Sequence, residues 1–291
     1  MKPRHLIIGK FNRRNFLRTW AVAVGGLIYV PGKYLAQGQP NLTGAFKAGG
    51  AFSIGSTAAS PVNIITNGLL ARWACNEGSG STLYDSSGNG YNATCQSAPG
   101  WVAGHSGGTA VSFASSNYAL TGNVSFVSNV TSACTMCAWV YPTAWDSVGG
   151  NGNPALSYGE KADINYTVCL GVSSNATGNY LGDLVDGPGS TGNLSTYKPP
   201  LNTWSFIGLT VAPFNGGSNG TVYYYFNSAS YTPGAGGINS QIVTSPQPFE
   251  IAMGYNDSSI NGLWTGYLQD VRVYSRTLAS SEMFSIYNGT G

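Results

Sequence analysis

GYLQDVRVYSRTLASSEM, residues 266 to 283, is the stretch whose reading decides the fold. Its first half mixes β-branched and aromatic residues with polar ones, the pattern of a half-buried strand. Its second half runs into ASSEMFSIYN (279–288), the one stretch of the chain that reads as helix. Working outward from it, short strands alternate with turns from residue 67 onward. The candidates are LLARWAC, YNATCQ, TAVSFA, ACTMCAWVYP, INYTVCLGV, TWSFIGLTVA, GTVYYYFN and FEIAMGY. A dozen or so strands with Gly-rich turns predict an all-β protein, one antiparallel two-sheet sandwich with a short C-terminal helix.

Composition supports that reading and closes other routes. Only 8% of the 291 residues are charged and 12% are aromatic, the reverse of a disordered chain. The net charge of +2 comes from the N-terminus: seven of the 13 Lys and Arg precede residue 39, and the first acid is Glu77. Without that segment six cations face eleven carboxylates, so the folded part offers no clustered positive surface for nucleic acid.

The basic and then apolar run NRRNFLRTWAVAVGGLIYVPG (12–32) is too short to span a bilayer comfortably but suits a signal segment. Arg13-Arg14-x-Phe16-Leu17 resembles the twin-arginine export signal, and Ala36-Gln37-Gly38 offers a cleavage site. The expected organisation is a leader over 1–38, a Gly/Ala/Ser/Thr-rich linker or arm over 39–66 and one domain over 67–291. The expected location is exported: extracellular, periplasmic or cell surface. The alternative is an uncleaved basic arm, which would be the chain's only contact with a membrane. Ten Asn-x-Ser/Thr sequons are glycosylation acceptors in one kind of secreted protein and mere Asn/Thr richness in another.

Five words then occur in the order of one family: GLLARWACNEGSGSTLYDSSGNGYNAT (68–94), WVAGHSGGTAVSFASSNYAL (101–120), CTMCAWVYP (134–142), NTWSFIGLTV (202–211) and the stretch that opened this section. The chain resembles the laminin-G-like, concanavalin A-like jelly-roll domains across residues 67 to 288. It departs from them at Ala279, where a serine cap is usual, at Asn92 and in its cysteines. The resemblance implies a calcium ion held between the 85–90 loop and the acid of the closing strand, Asp270. It also places Trp73, Trp101, Trp139 and Trp204 in the core.

The residues themselves leave the 85–90 loop open. Asp85, Ser87 and Asn89 at alternate positions before Gly90 imitate the first half of a calcium loop, with Glu77 as a further ligand. They equally suit a turn stabilised by Asp and Asn side chains. Residue 96 is Gln where an EF-hand requires Glu. Cys75 and Cys95 flank the loop and could bridge across it, and Cys137 could pair with Cys169 across strands. Cys134 and Cys137, three apart on a strand, should face opposite ways, which disfavours a shared metal.

Catalytic patterns are weak. Gly104-His105-Ser106-Gly107-Gly108 imitates a nucleophile elbow, but a strand rather than a helix follows. A glycoside hydrolase needs two carboxylates about 5–5.5 Å apart if retaining. The nearest acid pairs, Glu160/Asp163 and Asp183/Asp186, are three apart in stretches that read as loops. Binding is the better reading: sugar rings stack on aromatic faces while their hydroxyls hydrogen-bond. Trp145, Tyr158, Tyr180, Tyr197 and Trp264 are the candidate ligand-binding residues. The expected function is a non-catalytic adhesion or carbohydrate-binding protein whose partner is a glycan or an extracellular protein. The alternatives are a self-associating subunit of a surface layer, filament or virion, and a glycoside hydrolase on the same fold. Intact mass of the native protein separates the first two: a chain beginning near Gln39 is expected, and one beginning at Met1 would favour the assembly subunit.

Overall fold

The structure is a computed structural model. It describes residues 22–24, 27–29, 64–114, 116–122, 133–145, 153–158, 168–175, 178–185, 195–197, 199–212, 221–231, 248–256 and 259–291. The chain divides into two units, Met1–Pro61 and Val62–Gly291. In the first, β1 (Val22–Val24) and β2 (Leu27–Tyr29) pair as an antiparallel hairpin. No helix among the described residues is long and apolar enough to cross a membrane.

The second unit runs β3 (Leu69–Trp73), β4 (Thr82–Leu83), β5 (Ala93–Gln96), β6 (Gly100–Ala103), β7 (Thr109–Phe113), β8 (Tyr118–Thr121), β9 (Cys134–Ala144), β10 (Asn153–Tyr158), β11 (Val168–Asn175), β12 (Gly178–Val185), β13 (Ser205–Val211), β14 (Val222–Phe226), β15 (Ala229–Tyr231), β16 (Phe249–Ile251), β17 (Met253–Asn256), β18 (Ser259–Leu263), β19 (Thr265–Tyr274) and α1 (Ser280–Tyr287). One antiparallel sheet has the order β12-β11-β10-β16-β8-β5-β4. The other has the order β15-β14-β13-β9-β19-β7-β6, with β3 also on β19. The hairpin β17-β18 stands apart from both. This is the sandwich that the sequence predicts, and α1 is its short C-terminal helix.

Side chains one apart on a strand point to opposite faces, so alternate residues of each sheet supply the core between them. On β9 these are Cys134, Met136, Ala138 and Val140, meeting Trp73, Leu83, Leu170 and Phe249 among others. Removing such large side chains from water stabilises the fold by about 1.5–3 kcal/mol each. The intervening residues of the larger sheet form a second cluster on its outer face, where Cys137, Trp139, Phe206 and Tyr225 pack under Met283 and Ile286 of α1. Cys134 and Cys137 therefore lie in different cores, as positions three apart on a strand must. Gly208 of β13 leaves room for Met283, whose methyl a Cβ there would strike.

The helix begins at Ala279 with no side-chain cap. Glu282 supplies the other half of a capping box, accepting the Ala279 N–H at 2.8 Å while its carboxylate accepts from Nη1 and Nη2 of Arg276. Ser280 is occupied with the Tyr225 hydroxyl instead.

The structure corrects two readings. NPALSY and GNYLGDLV are strands β10 and β12, so Asp183 lies within a strand opposite Leu170 rather than in a loop. Glu160, Asp163 and Asp186 fall outside the described residues. All five cysteines are buried, and no disulfide joins Cys75 to Cys95 or Cys137 to Cys169, so neither expected bridge is formed. Cys137 lies under α1 while Cys169 belongs to β11 of the opposite sheet, too differently placed to meet. The Cys75 thiol donates to the Trp73 carbonyl at 3.4 Å. Burial pushes the Cys75 thiol well up, Cys95 to about 11 and Cys137 to about 12, which keeps all three protonated and unreactive.

One buried ion cluster joins the strands at the centre of the larger sheet. β19 bulges between Gln269 and Arg272, with Asp270 at φ 50°. Asp270 accepts from Arg72 Nε at 2.7 Å and from Arg272 Nη2 at 2.7 Å, and the Arg272 side chain is only 2% exposed. Burial alone would raise the Asp270 carboxyl, but the Arg272 and Arg72 guanidiniums outweigh it and hold it below the usual range. A depressed folded pKa stabilises above the unfolded value and is lost as pH falls through the folded one. Asp270→Asn tolerates the positive φ yet strands Arg272, and a loss of about 3 kcal/mol is expected in chemical denaturation at pH 7. The gap to wild type should close as pH falls below the ordinary carboxylate value; a gap unchanged there would deny Asp270 its charge.

Candidate functional site

The loop after β4 is where the sequence allowed a cation. Asp85 Oδ1 accepts the Arg72 and Ser87 N–H groups at 3.0 and 2.8 Å. Its Oδ2 accepts the Ser87 hydroxyl and the Tyr91 N–H at 2.8 and 3.0 Å. Asn89 turns its amide nitrogen inward, donating to the Leu69 and Leu70 carbonyls. Glu77 Oε1 accepts the Tyr84 N–H, and its Oε2 is buried without a partner. The structure does bring Asp85 and Asp270 to one residue, but that residue is Arg72, whose backbone holds the first and whose guanidinium holds the second. The donor set does not fit calcium: Asp85 is saturated by donors, Asp270 is neutralised by two arginines, and Asn89 presents nitrogen. The loop is an Asp-stabilised turn that staples residues 85–91 to β3.

Four of the five aromatic residues singled out from the sequence pack against other side chains of the protein. Tyr158 and Trp264 are fully buried in the inter-sheet core. Trp145 packs edge-on against Trp264, and Tyr197 stacks on Phe226 at 5.4 Å. Tyr180 lies in β12 opposite Ser173. Of the four tryptophans assigned to the core by resemblance, Trp73 is there. Trp101 is only half-buried against it, while Trp139 and Trp204 belong to the outer face of the larger sheet.

That outer face carries the arrangement that sequence reasoning missed. α1 covers the part around Cys137, Gly208 and Tyr225 and stops at Tyr287, which stacks on Trp139 at 5.5 Å. Beyond it, register aligns Ser112 of β7, Tyr267 of β19 and Tyr141 of β9, with Trp204 at the mouth of β13. Tyr141 and Tyr267 stack at 4.9 Å, and Trp204 meets Tyr141 edge-on at 5.6 Å. All three rings are half-buried. Gly266 (φ 145°) allows this close approach, since a Cβ there would collide with the Tyr141 carbonyl.

His105 closes the end nearest α1. Its ring stacks on Trp139 at 3.5 Å and lies edge-on to Trp204 at 6.0 Å. The 104–108 loop is held by buried Gln269, which accepts the His105 N–H at 2.8 Å and donates to the Gly107 and Thr109 carbonyls. Partial burial lowers the His105 pKa from its ordinary value, which disfavours the charged ring. His105 Nδ1 lies 3.1 Å from Ser106 Oγ, but no carboxylate orients the ring and β7 follows, so the elbow pattern is a loop built to seat an imidazole on a tryptophan. The signal for this site was the alternation Trp139, Tyr141 and Tyr267 on strands whose other face is apolar; it needed the β9–β19 register to be seen.

The smaller sheet carries a second feature that the sequence did not flag. One register row crosses all seven strands through Thr82, Thr94, Leu120, Glu250, Ser157, Cys169 and Leu184. Glu250, 2% exposed, is hydrogen-bonded through Oε2 to the Ser157 hydroxyl, which also lies 2.8 Å from the Met253 carbonyl. A charge inside the apolar word FEI was the only trace of it in the sequence.

An antiparallel jelly roll of seven and eight strands with an uncharged aromatic row on one outer face defines a class: the lectin-like sandwiches. The family model described as concanavalin A-like lectin/glucanases superfamily, of the laminin G type, matches residues 113–283, and the chain belongs to that family. No curated protein matches it. Among solved structures it is similar to domain 4 of AbnA, a GH43 extracellular arabinanase from Geobacillus stearothermophilus, in complex with arabinotriose. That match has 16% identity and a TM-score of 0.58, covering 75% of this chain and 98% of that one. Trypanosoma rangeli sialidase in complex with the inhibitor DANA matches at 16% identity and TM-score 0.52, covering 75% of this chain and 32% of the sialidase. The binding domain of botulinum neurotoxin DC in complex with rat synaptotagmin II matches at 11% and 0.53, covering 78% of this chain and 52% of that one. At such identities the likeness is one of fold, and this chain spans about a third of the sialidase and half of the toxin chain.

Asp85→Ala removes an acceptor of four hydrogen bonds and should cost about 2–4 kcal/mol in thermal or urea unfolding. Calcium or EDTA should leave the wild-type melting temperature unmoved. A rise with calcium would restore the metal reading.

Proposed function

We propose that this chain is a non-catalytic, exported carbohydrate-binding or adhesion module. The observation that carries the proposal is the half-buried row Tyr267–Tyr141–Trp204. Sugar rings present C–H faces to aromatic rings and hydroxyls to polar edges. Here the hydrophobic faces sit beside edge groups that the protein leaves unused: the Tyr141 and Tyr267 hydroxyls and the Trp204 indole N–H have no hydrogen-bond partner among the described residues and are not buried. Neighbours of this fold include proteins described with arabinotriose, with the sialidase inhibitor DANA and, for botulinum neurotoxin type C, with two ganglioside molecules, which supports a glycan as partner.

The non-catalytic part rests on how the described carboxylates are spent. Asp85 holds a turn, Asp270 an arginine pair, Glu282 the start of α1 and Arg276, and Glu250 a buried serine. Each of these four is engaged in a structural hydrogen bond or ion pair, which supports binding over hydrolysis as the role of the chain.

Retention on immobilised glycans and polysaccharides, with no reducing sugar released on long incubation, is the expected result. Sugar release would move the assignment to a hydrolase. Self-assembly into filaments or sheets with no glycan retained would move it to a structural subunit.

A further inference from the structure

The row on the outer face of the larger sheet has a length, a direction and a charge, and together these restrict its ligand. Ser112, Tyr267 and Tyr141 are register partners on β7, β19 and β9, and Trp204 lies beside Tyr141 where β13 begins. Neighbouring strands are about 4.8 Å apart, so the row extends roughly 14 Å across the strands. A single sugar ring would cover only part of it. Asn202 extends it at the Trp204 end, where its N–H is fixed on the Pro142 carbonyl, and Leu201 beside it is one of two large apolar side chains exposed among the described residues.

Charge is the sharper restriction. The described residues of this surface, Gly100, Ser112, Tyr141, Trp204, Tyr267 and His105, include no Lys, Arg, Asp or Glu. Among the described residues of this surface His105 alone could carry a positive charge, and partial burial against Trp139 disfavours that form. The nearest ionic group built into this sheet, Arg72 with Asp270 and Arg272, pairs internally, and Arg272 is buried. A carboxylated or sulfated glycan would lose water here and find no cation among the described residues of the surface in exchange. An uncharged one loses little, stacks its C–H faces on three rings and finds the Tyr141 and Tyr267 hydroxyls and the Trp204 N–H unpaired.

Resting on the glycan-binding reading above, we infer that the row Ser112–Tyr267–Tyr141–Trp204 is a binding site for an uncharged linear oligosaccharide lying across the strands, with His105 closing the end toward α1. Gly266 and Gln269 are positioning residues: the first lets the two tyrosines approach, and the second fixes the loop that carries His105.

The test is calorimetry and array binding on the full chain. The probes are neutral arabino-, xylo-, cello- and galacto-oligosaccharides of one to six rings, beside sialylated and sulfated oligosaccharides, at low and high salt. Binding of a neutral series is expected, strengthening from one ring to three and unaffected by salt. Trp204→Ala and Tyr267→Ala should each weaken it roughly tenfold or more, about 1.4 kcal/mol. Trp204→Phe should recover part of the loss, and all three variants should retain cooperative melting. Trp204 and Tyr267 lie outside the inter-sheet core, and Trp204→Phe keeps a ring if either alanine variant fails to fold. Preference for anionic glycans, or affinity that falls with salt, overturns this inference and leaves the glycan-binding reading in place. Neutral binding that none of the variants changes overturns the site. Failure to bind any glycan of either charge overturns both.

Discussion

The pairing of β9 with β19 is the constraint on which the molecule depends. These two strands run together from Thr265 opposite Ala144 to Tyr274 opposite Thr135 and are buried on both sides. One side faces the smaller sheet, and the other faces α1 and the aromatic row. A strand buried on both faces cannot slip by one residue without exchanging its two cores. The register is further pinned by the bulge at Asp270, where the extra residue turns a carboxylate toward Arg72 of β3 and Arg272 of its own strand. Two strands are thereby tied at one charge, and the guanidinium of Arg272 reaches on to the Gly291 carbonyl beyond α1.

The two faces of the larger sheet divide structure from function by a length. α1 has eight residues, enough to cover the sheet as far as Trp139 and no further. What it leaves uncovered is the aromatic row, so the same outer face is a packed core at one end and a solvent-facing surface at the other. His105 sits at the boundary and seals the core side with an imidazole in place of another turn of helix.

The fold was legible from the sequence because its signals are local. The alternation in CTMCAWVYP, the strand that opens the stretch at 266 and the helix after Ala279 each lie within a dozen residues, and Cys134 and Cys137 separate between two cores as a period of two demands. NPALSY and GNYLGDLV escaped notice because Gly, Asn and Pro mark turns in isolation, whereas here tertiary pairing with β11 overrides that preference. The site was less legible for the same reason. Tyr141 and Tyr267 are 126 positions apart and become neighbours only through register. Trp264 and Tyr158 lay outside the words that read as core, yet both are buried between the sheets. At the 85–90 loop the spacing of Asp85, Ser87 and Asn89 suits a cation, but Arg72 of β3, which sequence reading passed over, engages both Asp85 and Asp270.

The five buried thiols carry a consequence of a different kind. None is cross-linked, three are packed where burial holds the proton on sulfur, and the sandwich closes around them without an oxidant. No cross-link has to form for this core to close, so the chemistry of the core does not dictate on which side of a membrane folding takes place.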